Sequence, residues 1–277
     1  MTFNIATAQS LITCDVSANG QHVRDLMKDA RDADARLIHF PEGALSGYVK
    51  AQIEDWNGVD WPCIRAEAEQ IAVLAKKLGI WVVLGCNHHL SAPHRPHNSL
   101  YVFSDKGELV NRYDKRWCSH NELCDWYTPG REPVVFDINE FRFGCTLCIE
   151  VQFPELFLEY ERLGIDCMLF SAYSDDPMFE TLSQAHAATY NYWISVSAPA
   201  QCSDGLPAAL IGPDGRLIAR GTTDGKPKLV IAQLNRDEPQ YSVALTKARP
   251  WRSAAKAGDI YRVRQVDDDR SSDHASL

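Results

Sequence analysis

Short apolar strands that alternate with amphipathic helices constrain this chain more than any other feature of its sequence. Residues 2–9, 37–40 and 80–86 are predicted to be strands, and the last two are short apolar runs bounded by polar or turn residues. Between these strands, apolar side chains recur at helical spacing over residues 23–30 and again over residues 71–78. Helices and sheets bury such apolar faces by packing in layers, so the alternation predicts an α/β domain.

The second half of the chain continues this alternation and adds hairpins. Pro154 suits the first turn of a helix and Gly164 suits its end. The turns Asp105-Lys-Gly107 and Pro213-Asp-Gly215 each separate two apolar runs, which is typical of hairpins. Further strands are predicted over residues 141–149, 165–170 and 193–196, with a second helix over residues 183–192. Hairpins combined with strand–helix units indicate mixed sheets.

The composition excludes several classes of function. The formal charge of −9, from 28 basic and 37 acidic side chains, opposes general binding of nucleic acid, which requires clustered Lys and Arg. No apolar run approaches the roughly 20 residues of a membrane-spanning helix, and the N-terminus lacks the basic start of a secretory signal. We therefore expect a cytoplasmic protein that binds neither nucleic acid nor membrane.

We expect a single domain over residues 1–265. The length of 277 residues is ordinary for one α/β domain, and no linker or low-complexity tract interrupts the pattern. Residues 266–277 are rich in Asp and Ser, so they are predicted to form a disordered acidic tail.

Nine cysteines are the unusual feature of the composition. An odd number in a long chain without a secretory signal does not favour a disulfide framework. Cys145 and Cys148 have CxxC spacing, but a zinc site needs a second pair, and Cys118 and Cys124 are six residues apart. Most of the thiols are therefore predicted to be small core residues. The histidine-rich stretch 88–97 lacks metal-ligand spacing, so we predict a polar loop there and no metal site.

Three reactive side chains follow apolar strands, which is where α/β sheets usually build their sites. They are Glu42, Lys115 and Cys148. Taken singly, such residues are more often a loop or cap residue, a solvated lysine and a core thiol. Together they provide what hydrolysis of an unreactive C–N bond needs: a thiol nucleophile, a carboxylate base whose pKa rises on desolvation, and an ammonium for the oxyanion.

The order of these residues resembles the nitrilase superfamily of carbon–nitrogen hydrolases. Each motif alone is weak, whereas the ordered set from about residue 2 to 235 is specific. The matching segments are His39-Phe-Pro-Glu42-Gly-Ala-Leu-Ser-Gly47-Tyr48, Tyr113-Asp-Lys115, Glu122 followed by Tyr127-Thr-Pro129-Gly130, Phe143-Gly-Cys-Thr-Leu-Cys148-Ile-Glu-Val-Gln-Phe153-Pro-Glu155, and Ile211-Gly-Pro-Asp-Gly215. Asn191 resembles the Asn of the family's alanine-rich helix, although the usual Arg of that helix is absent.

The resemblance implies an αββα sandwich with mixed β-sheets, which pairs into a homodimer or a higher homo-oligomer with a longer αββααββα core. It implies no metal and no organic cofactor. It assigns Cys148 as the nucleophile, Glu42 as the general base and acid, and Lys115 as the residue that stabilises the oxyanion. Glu122 is implied to orient Lys115 and the substrate amide. The backbone N–H of Ile149 is implied as the second oxyanion donor. Cys145, the other thiol of the CxxC pair, is implied to be a core residue.

The residues after the nucleophile differ from the pattern of many relatives, which have an aromatic residue and then Asp. This chain has Ile149 and Glu150 at those positions. Because this neighbourhood is expected to line the pocket, the difference leaves the substrate class open. The candidate pocket walls, for which core or dimer packing is the alternative, are Tyr48, Trp117, Trp126 and Tyr173.

The sequence thus predicts a hydrolase that acts on a small linear amide or N-carbamoyl compound through a thioester on Cys148 and releases ammonia or an amine. A nitrilase is the alternative among enzymes, because the same three residues can add to a nitrile. A non-catalytic relative that binds a ligand or a partner is the alternative outside the enzymes.

Overall fold

The first strand shows how the chain builds its layers. In the computed structural model, which describes residues 2–275, β1 spans Thr2–Gln9, as the sequence predicts. Phe3 and Ile5 belong to one apolar cluster, whereas Ala6 and Ala8 belong to another. Because successive side chains point to opposite faces of a strand, this sheet has an apolar core on each face.

Two six-stranded sheets form the centre of the fold. The first contains, in spatial order, β12 (Lys228–Asn235), β1, β2 (Leu37–His39), β3 (Trp81–His88), β4 (His97–Phe103) and β5 (Leu109–Asp114). The second contains β11 (Leu217–Arg220), β10 (Ala209–Ile211), β9 (Trp193–Ser197), β8 (Cys167–Ser171), β7 (Phe141–Leu147) and β6 (Val135–Ile138). Each sheet is mixed, with three parallel strands in a row and antiparallel neighbours outside them.

Helices cover the outer faces of both sheets. Helices α1 (Val16–Asp32) and α2 (Trp61–Leu78) share a core cluster with the first sheet. Helices α3 (Pro154–Arg162) and α4 (Met178–Tyr190) share another with the second sheet. A third cluster lies between the sheets and joins residues of both. Three apolar interfaces therefore separate four layers, and the αββα sandwich predicted from the sequence is confirmed.

The helix ends follow from local side-chain chemistry. Asp15 caps α1 by accepting hydrogen bonds from the backbone N–H groups of Ser17 and Ala18. Gly79 ends α2 and Asn191 ends α4, with left-handed φ values of 63° and 56°. The Asn191 cap turns the chain directly into β9.

Several predicted elements differ in their bounds from those observed; the helix predicted over residues 183–192, for example, spans Met178–Tyr190. The strand predicted over residues 141–149 ends at Leu147, because a 3₁₀ turn follows over Cys148–Gln152. The stretch predicted as a polar loop contains strand residues at both ends, since His88 pairs with His97 across β3 and β4. The loop itself is confined to residues 89–96.

The C-terminal segment is helical in part. It contains α5 (Arg249–Ala257), α6 (Asp259–Arg262) and the short α7 (Asp269–Ser272). Residues 266–275 are exposed, and residues 276 and 277 of the predicted acidic tail lie outside the described residues. The single domain and the disorder of the tail stay predictions. Within residues 2–275, no helix is long and apolar enough to span a membrane.

Candidate active site

The carboxyl ends of several strands bring the predicted reactive residues to one edge of the sandwich. Glu42 lies shortly after β2, Lys115 directly after β5, and Cys148 directly after β7. Tyr173 follows β8, which is the parallel neighbour of β7. Because β4 runs antiparallel to β3 and β5, its first residues, including Asn98, reach the same edge. The structure thus collects residues that are far apart in the sequence.

A buried ammonium joins two carboxylates at this edge. The Nζ atom of Lys115 lies 3.1 Å from Oε1 of Glu42 and 2.7 Å from Oε1 of Glu122. All three side chains are at most 3% exposed. The segment after Glu122 contacts the backbone of Lys115. The backbone N–H of Gly130 donates to the Lys115 carbonyl at 2.8 Å. A Cβ at Gly130 would stand 2.1 Å from the Asp114 carbonyl oxygen, so the position requires glycine.

Glu42 is held by both of its oxygens. Its Oε1 also accepts a hydrogen bond of 2.6 Å from Nδ2 of Asn98. Its Oε2 accepts one of 2.8 Å from the backbone N–H of Tyr173, which follows strand β8 of the opposite sheet. The carboxylate is therefore fixed between the two sheets.

The two glutamates have opposite pKa shifts. Burial raises the pKa of Glu42, and the opposing effect of Lys115 does not cancel it. Burial acts in the same direction on Glu122, but Lys115 and the N–H of Ser119 outweigh it and lower the pKa of Glu122. Burial lowers the pKa of Lys115, yet the charges of Glu42, Cys148 and Glu122 raise it well above its ordinary value. Two carboxyls whose pKa values are pushed apart suit different roles in acid–base chemistry.

Cys148 occupies an unusual backbone conformation at the start of its turn. Its φ of 50° lies in the left-handed region, which non-glycine residues rarely adopt and which often marks a functional position. Its Sγ lies 3.9 Å from the Tyr173 carbonyl oxygen. Burial raises the pKa of the thiol well above its ordinary value, Glu42 raises it further, and Lys115 opposes both. A neutral thiol in this position needs a base before it can act as a nucleophile.

Two of the predicted pocket residues contact this cluster. The rings of Tyr48 and Tyr173 stack with centroids 4.7 Å apart, and the Tyr48 hydroxyl donates to Oε1 of Glu122 at 3.1 Å. The Tyr173 hydroxyl oxygen accepts hydrogen bonds from Nε2 of Gln52 at 2.8 Å and Nε2 of Gln201 at 3.2 Å. The stacked tyrosines therefore form one side of the cluster.

The two predicted tryptophans have other neighbours. The ring of Trp117 packs edge-on against Phe153, with centroids 4.5 Å apart, and is 37% exposed as a residue. Trp126 lies at the end of a π-helical turn and packs edge-on against Trp56, with centroids 5.7 Å apart. The assignment of these tryptophans to the pocket wall stays a prediction.

Several residues of the site escaped the sequence analysis. Asn98 lies next to the histidine-rich stretch, and only the pairing of β4 with its neighbours brings it to Glu42. Gln52 and Gln201 carry no motif, although they hold Tyr173. Glu150 is expected in the pocket lining, whereas its carboxylate accepts hydrogen bonds from the backbone N–H groups of Arg116, Trp117 and Leu147. Each of these contacts depends on tertiary structure that residue spacing does not specify.

The histidine-rich stretch has structural partners of its own. His88 lies 2.8 Å from the Tyr101 hydroxyl and 2.6 Å from Arg112, and burial lowers its pKa to about 4. His97 lies 2.6 Å from the carbonyl oxygen of Thr128. In the part of the chain that the structure describes, no three His, Cys, Asp or Glu side chains are grouped as metal ligands. A largely apolar cavity of about 1070 Å³ lies beside His88, between α2 and the β3–β4 strands, and neither Glu42 nor Glu122 lines it.

An αββα sandwich with a thiol, an ammonium and two carboxylates at one edge places this chain in the class of nitrilase-like proteins. A family model described as carbon–nitrogen hydrolase matches residues 4–240. The chain belongs to the carbon–nitrogen hydrolase family. The family and the enzyme class predicted from the sequence are thereby confirmed.

Individual relatives agree with this family. Nitrilase homolog 2 of Dictyostelium discoideum is 23% identical over 212 residues, a match that covers 72% of this chain and 64% of the relative. This chain therefore spans less than two thirds of that relative. Omega-amidase NIT3 of Saccharomyces cerevisiae is 24% identical over 260 residues, which cover 85% of this chain and 88% of the relative.

A solved structure shares the fold. It is a variant of the amidase from Nesterenkonia sp. AN1 that shows Michael addition of acrylamide at the active-site cysteine. Its TM-score with this chain is 0.76 at 21% identity, and the match covers 91% of this chain and 99% of the other. At this identity the likeness shows the αββα fold.

Proposed function

We propose that this chain hydrolyses a small linear amide or N-carbamoyl compound through a thioester on Cys148. The observation that carries the proposal is the contact of one buried ammonium, Lys115, with the carboxylates of Glu42 and Glu122 beside a buried thiol. The activities named for relatives, an omega-amidase and an amidase, support an amide as the substrate.

In this proposal Glu42 is the general base. Its raised pKa allows it to accept a proton from the thiol and to return it later, whereas Glu122 stays ionised beside Lys115. The hydrogen bonds from Asn98 and from the backbone of Tyr173 fix the carboxylate in orientation. Because the carboxylate is already oriented, the reaction does not lose further entropy in orienting its base.

Lys115 is the proposed oxyanion donor. An ammonium has three N–H donors, and two of them are directed at Glu42 and Glu122. The third is available to the oxygen of a bound amide carbonyl. The backbone N–H of Ile149, directly after the nucleophile, is the proposed second donor.

The proposed cycle has two halves with one intermediate. Glu42 accepts the thiol proton while Sγ of Cys148 forms a bond to the carbonyl carbon, and the resulting oxyanion is stabilised by Lys115. The C–N bond then breaks, Glu42 transfers its proton to the leaving nitrogen, and a thioester remains. Glu42 next deprotonates a water molecule, which attacks the thioester. The C–S bond breaks, and the proton returns to the thiolate.

The pH dependence follows from the base. Activity requires ionised Glu42, and burial raises its pKa, so kcat/KM should rise with pH through a midpoint above 4.5, the ordinary value. The hydrogen bond from Asn98 favours the ionised form, so Asn98→Ala should move this midpoint to higher pH. Steady-state rates over a pH series in both proteins measure the shift. An acidic limb at or below the ordinary carboxyl value would contradict the assignment.

A substrate panel tests the proposed reaction. Matched amides, N-carbamoyl compounds and nitriles that share one carbon skeleton are incubated with the enzyme, and ammonia or amine release is measured. We expect release from an amide or carbamoyl member. Release from nitriles alone identifies a nitrilase, and no release with an unreactive Cys148 thiol identifies a binding protein. Either result overturns the proposal.

We also propose that the chain forms a homodimer or a higher homo-oligomer and acts in the cytoplasm. The family resemblance supports the oligomer. The nine cysteines are all free, which supports a reducing compartment. Light scattering of the purified chain tests the oligomer, because a monomeric mass at micromolar concentration contradicts it.

A further inference from the structure

A buried carboxylate with no step in the proposed cycle lies beside the nucleophile. Glu150 is 0% exposed. Its Oε1 accepts hydrogen bonds from the backbone N–H groups of Arg116 at 2.8 Å and Trp117 at 3.0 Å, and its Oε2 accepts one from Leu147 at 2.8 Å. The Tyr113 hydroxyl lies 2.8 Å and 2.7 Å from the two oxygens.

These donors flank two residues of the proposed active site. Arg116 and Trp117 directly follow Lys115, and Leu147 directly precedes Cys148. Lys115 follows a strand of the first sheet, whereas Cys148 follows a strand of the second. One carboxylate thus ties the backbone of the oxyanion donor to that of the nucleophile across the interface between the sheets.

The hydrogen-bond pattern indicates that the Glu150 carboxyl is ionised. The groups that contact it are three backbone N–H donors and a hydroxyl, and an ionised carboxylate is the form that only accepts. Burial raises the pKa of Glu150, and the N–H of Trp117 and the hydroxyl of Tyr113 oppose the rise. A glutamine at this position has one acceptor oxygen and an NH₂ group, so its NH₂ would face a donor.

We propose that Glu150 is a positioning residue for the amide hydrolysis proposed above, holding the Lys115 ammonium at the correct distance from the Cys148 thiol. The inference rests on that proposed function. Glu150 acts through the two backbones and makes no contact with the substrate. Removing its second acceptor oxygen displaces one of the two segments, and a displacement of about 1 Å can lower the rate about a hundredfold.

The central test is Glu150→Gln, with activity measured per mole of folded enzyme. We expect kcat to fall about 10- to 100-fold, with KM changed less than about threefold, because catalytic geometry is lost and the pocket is kept. The alkylation rate of Cys148 by iodoacetamide, followed over pH, should change as well. Glu150→Asp keeps the charge and should recover part of kcat.

Glu159→Gln is the matched control. Its carboxylate pairs with the Arg116 side chain at 2.6 Å and is 40% exposed, so the substitution removes the same charge beside the same loop. It leaves the backbone bonds of Glu150 in place, and we expect kcat within about twofold of wild type. An equal loss in Glu159→Gln and Glu150→Gln overturns the positioning role.

Tyr113→Phe keeps the inference testable if Glu150→Gln does not fold. It removes the hydroxyl contact and retains the three N–H bonds, so kcat should fall about three- to tenfold at unchanged KM. Variants that lose thermal stability but keep wild-type kcat per folded molecule overturn the inference. Wild-type enzyme that hydrolyses no amide overturns the proposed function instead, so the two failures are distinguishable.

Discussion

Replacing Cys148 by alanine should lower kcat for amide hydrolysis by at least about 10⁴-fold, because removal of a nucleophile from a catalytic set has an effect of this size. The alanine variant should still fold. The thiol lies in a turn whose hydrogen bond from the Leu147 N–H to Glu150 does not involve the Cys148 side chain. Circular dichroism and the thermal midpoint test folding, and single-turnover kinetics measure the residual rate.

Cys145→Ala is the matched control for this experiment. Cys145 is the other thiol of the CxxC pair, lies in β7 and is fully buried in the cluster between the sheets. Its loss should cost some stability through a small cavity. We expect kcat per folded molecule to stay within about threefold of wild type. A large loss of kcat in Cys145→Ala with full activity in Cys148→Ala would reverse the choice of nucleophile.

Replacing Lys115 by methionine should have the second largest effect, on both rate and stability. The rate should fall about 10²- to 10³-fold from the loss of an oxyanion donor alone. Two buried carboxylates, Glu42 and Glu122, would then face each other without a cation, and removing one partner of a buried ion pair costs about 3–5 kcal/mol. Kinetics and denaturant unfolding measure the two effects separately.

Two further variants separate catalysis from folding. Lys106→Met removes a positive charge from an exposed position and should leave both kcat and the free energy of unfolding unchanged. The double variant Lys115→Met with Glu122→Gln has one carboxylate fewer in the site, so it should be more stable than Lys115→Met and remain slow. Wild-type kcat in Lys115→Met would exclude the lysine from the proposed mechanism.

The sequence predicts the strands of the sandwich well where their apolar pattern ends at a polar or turn residue. β1 has the predicted bounds, because its apolar residues end at the polar pair Gln9-Ser10. β7 ends two residues earlier than predicted. Ile149 and Val151 continue the apolar run, and the turn depends on the hydrogen bond between Leu147 and Glu150 and on the left-handed φ of Cys148. Apolar periodicity does not show such a turn.

Some residues of the site are likewise predictable from the sequence and others are not. Glu42, Lys115 and Glu122 are identifiable from ordered motifs, and the structure brings them within hydrogen-bond distance. Asn98 and Glu150 have contacts that depend on which strands are neighbours, so their proximity to the site follows only from the sheet topology. Whether an aromatic residue packs in the core or lines the pocket likewise depends on the paths of the loops. Residue spacing does not predict these paths.

The most direct test of the account is to locate the covalent intermediate. Enzyme turning over a small amide is quenched rapidly in acid, digested, and analysed by mass spectrometry. We expect a mass gain equal to the acyl group on the peptide that contains Cys148, and no such gain when Cys148→Ala is treated in the same way. An acyl group on any other residue, or wild-type turnover by Cys148→Ala, would contradict the account.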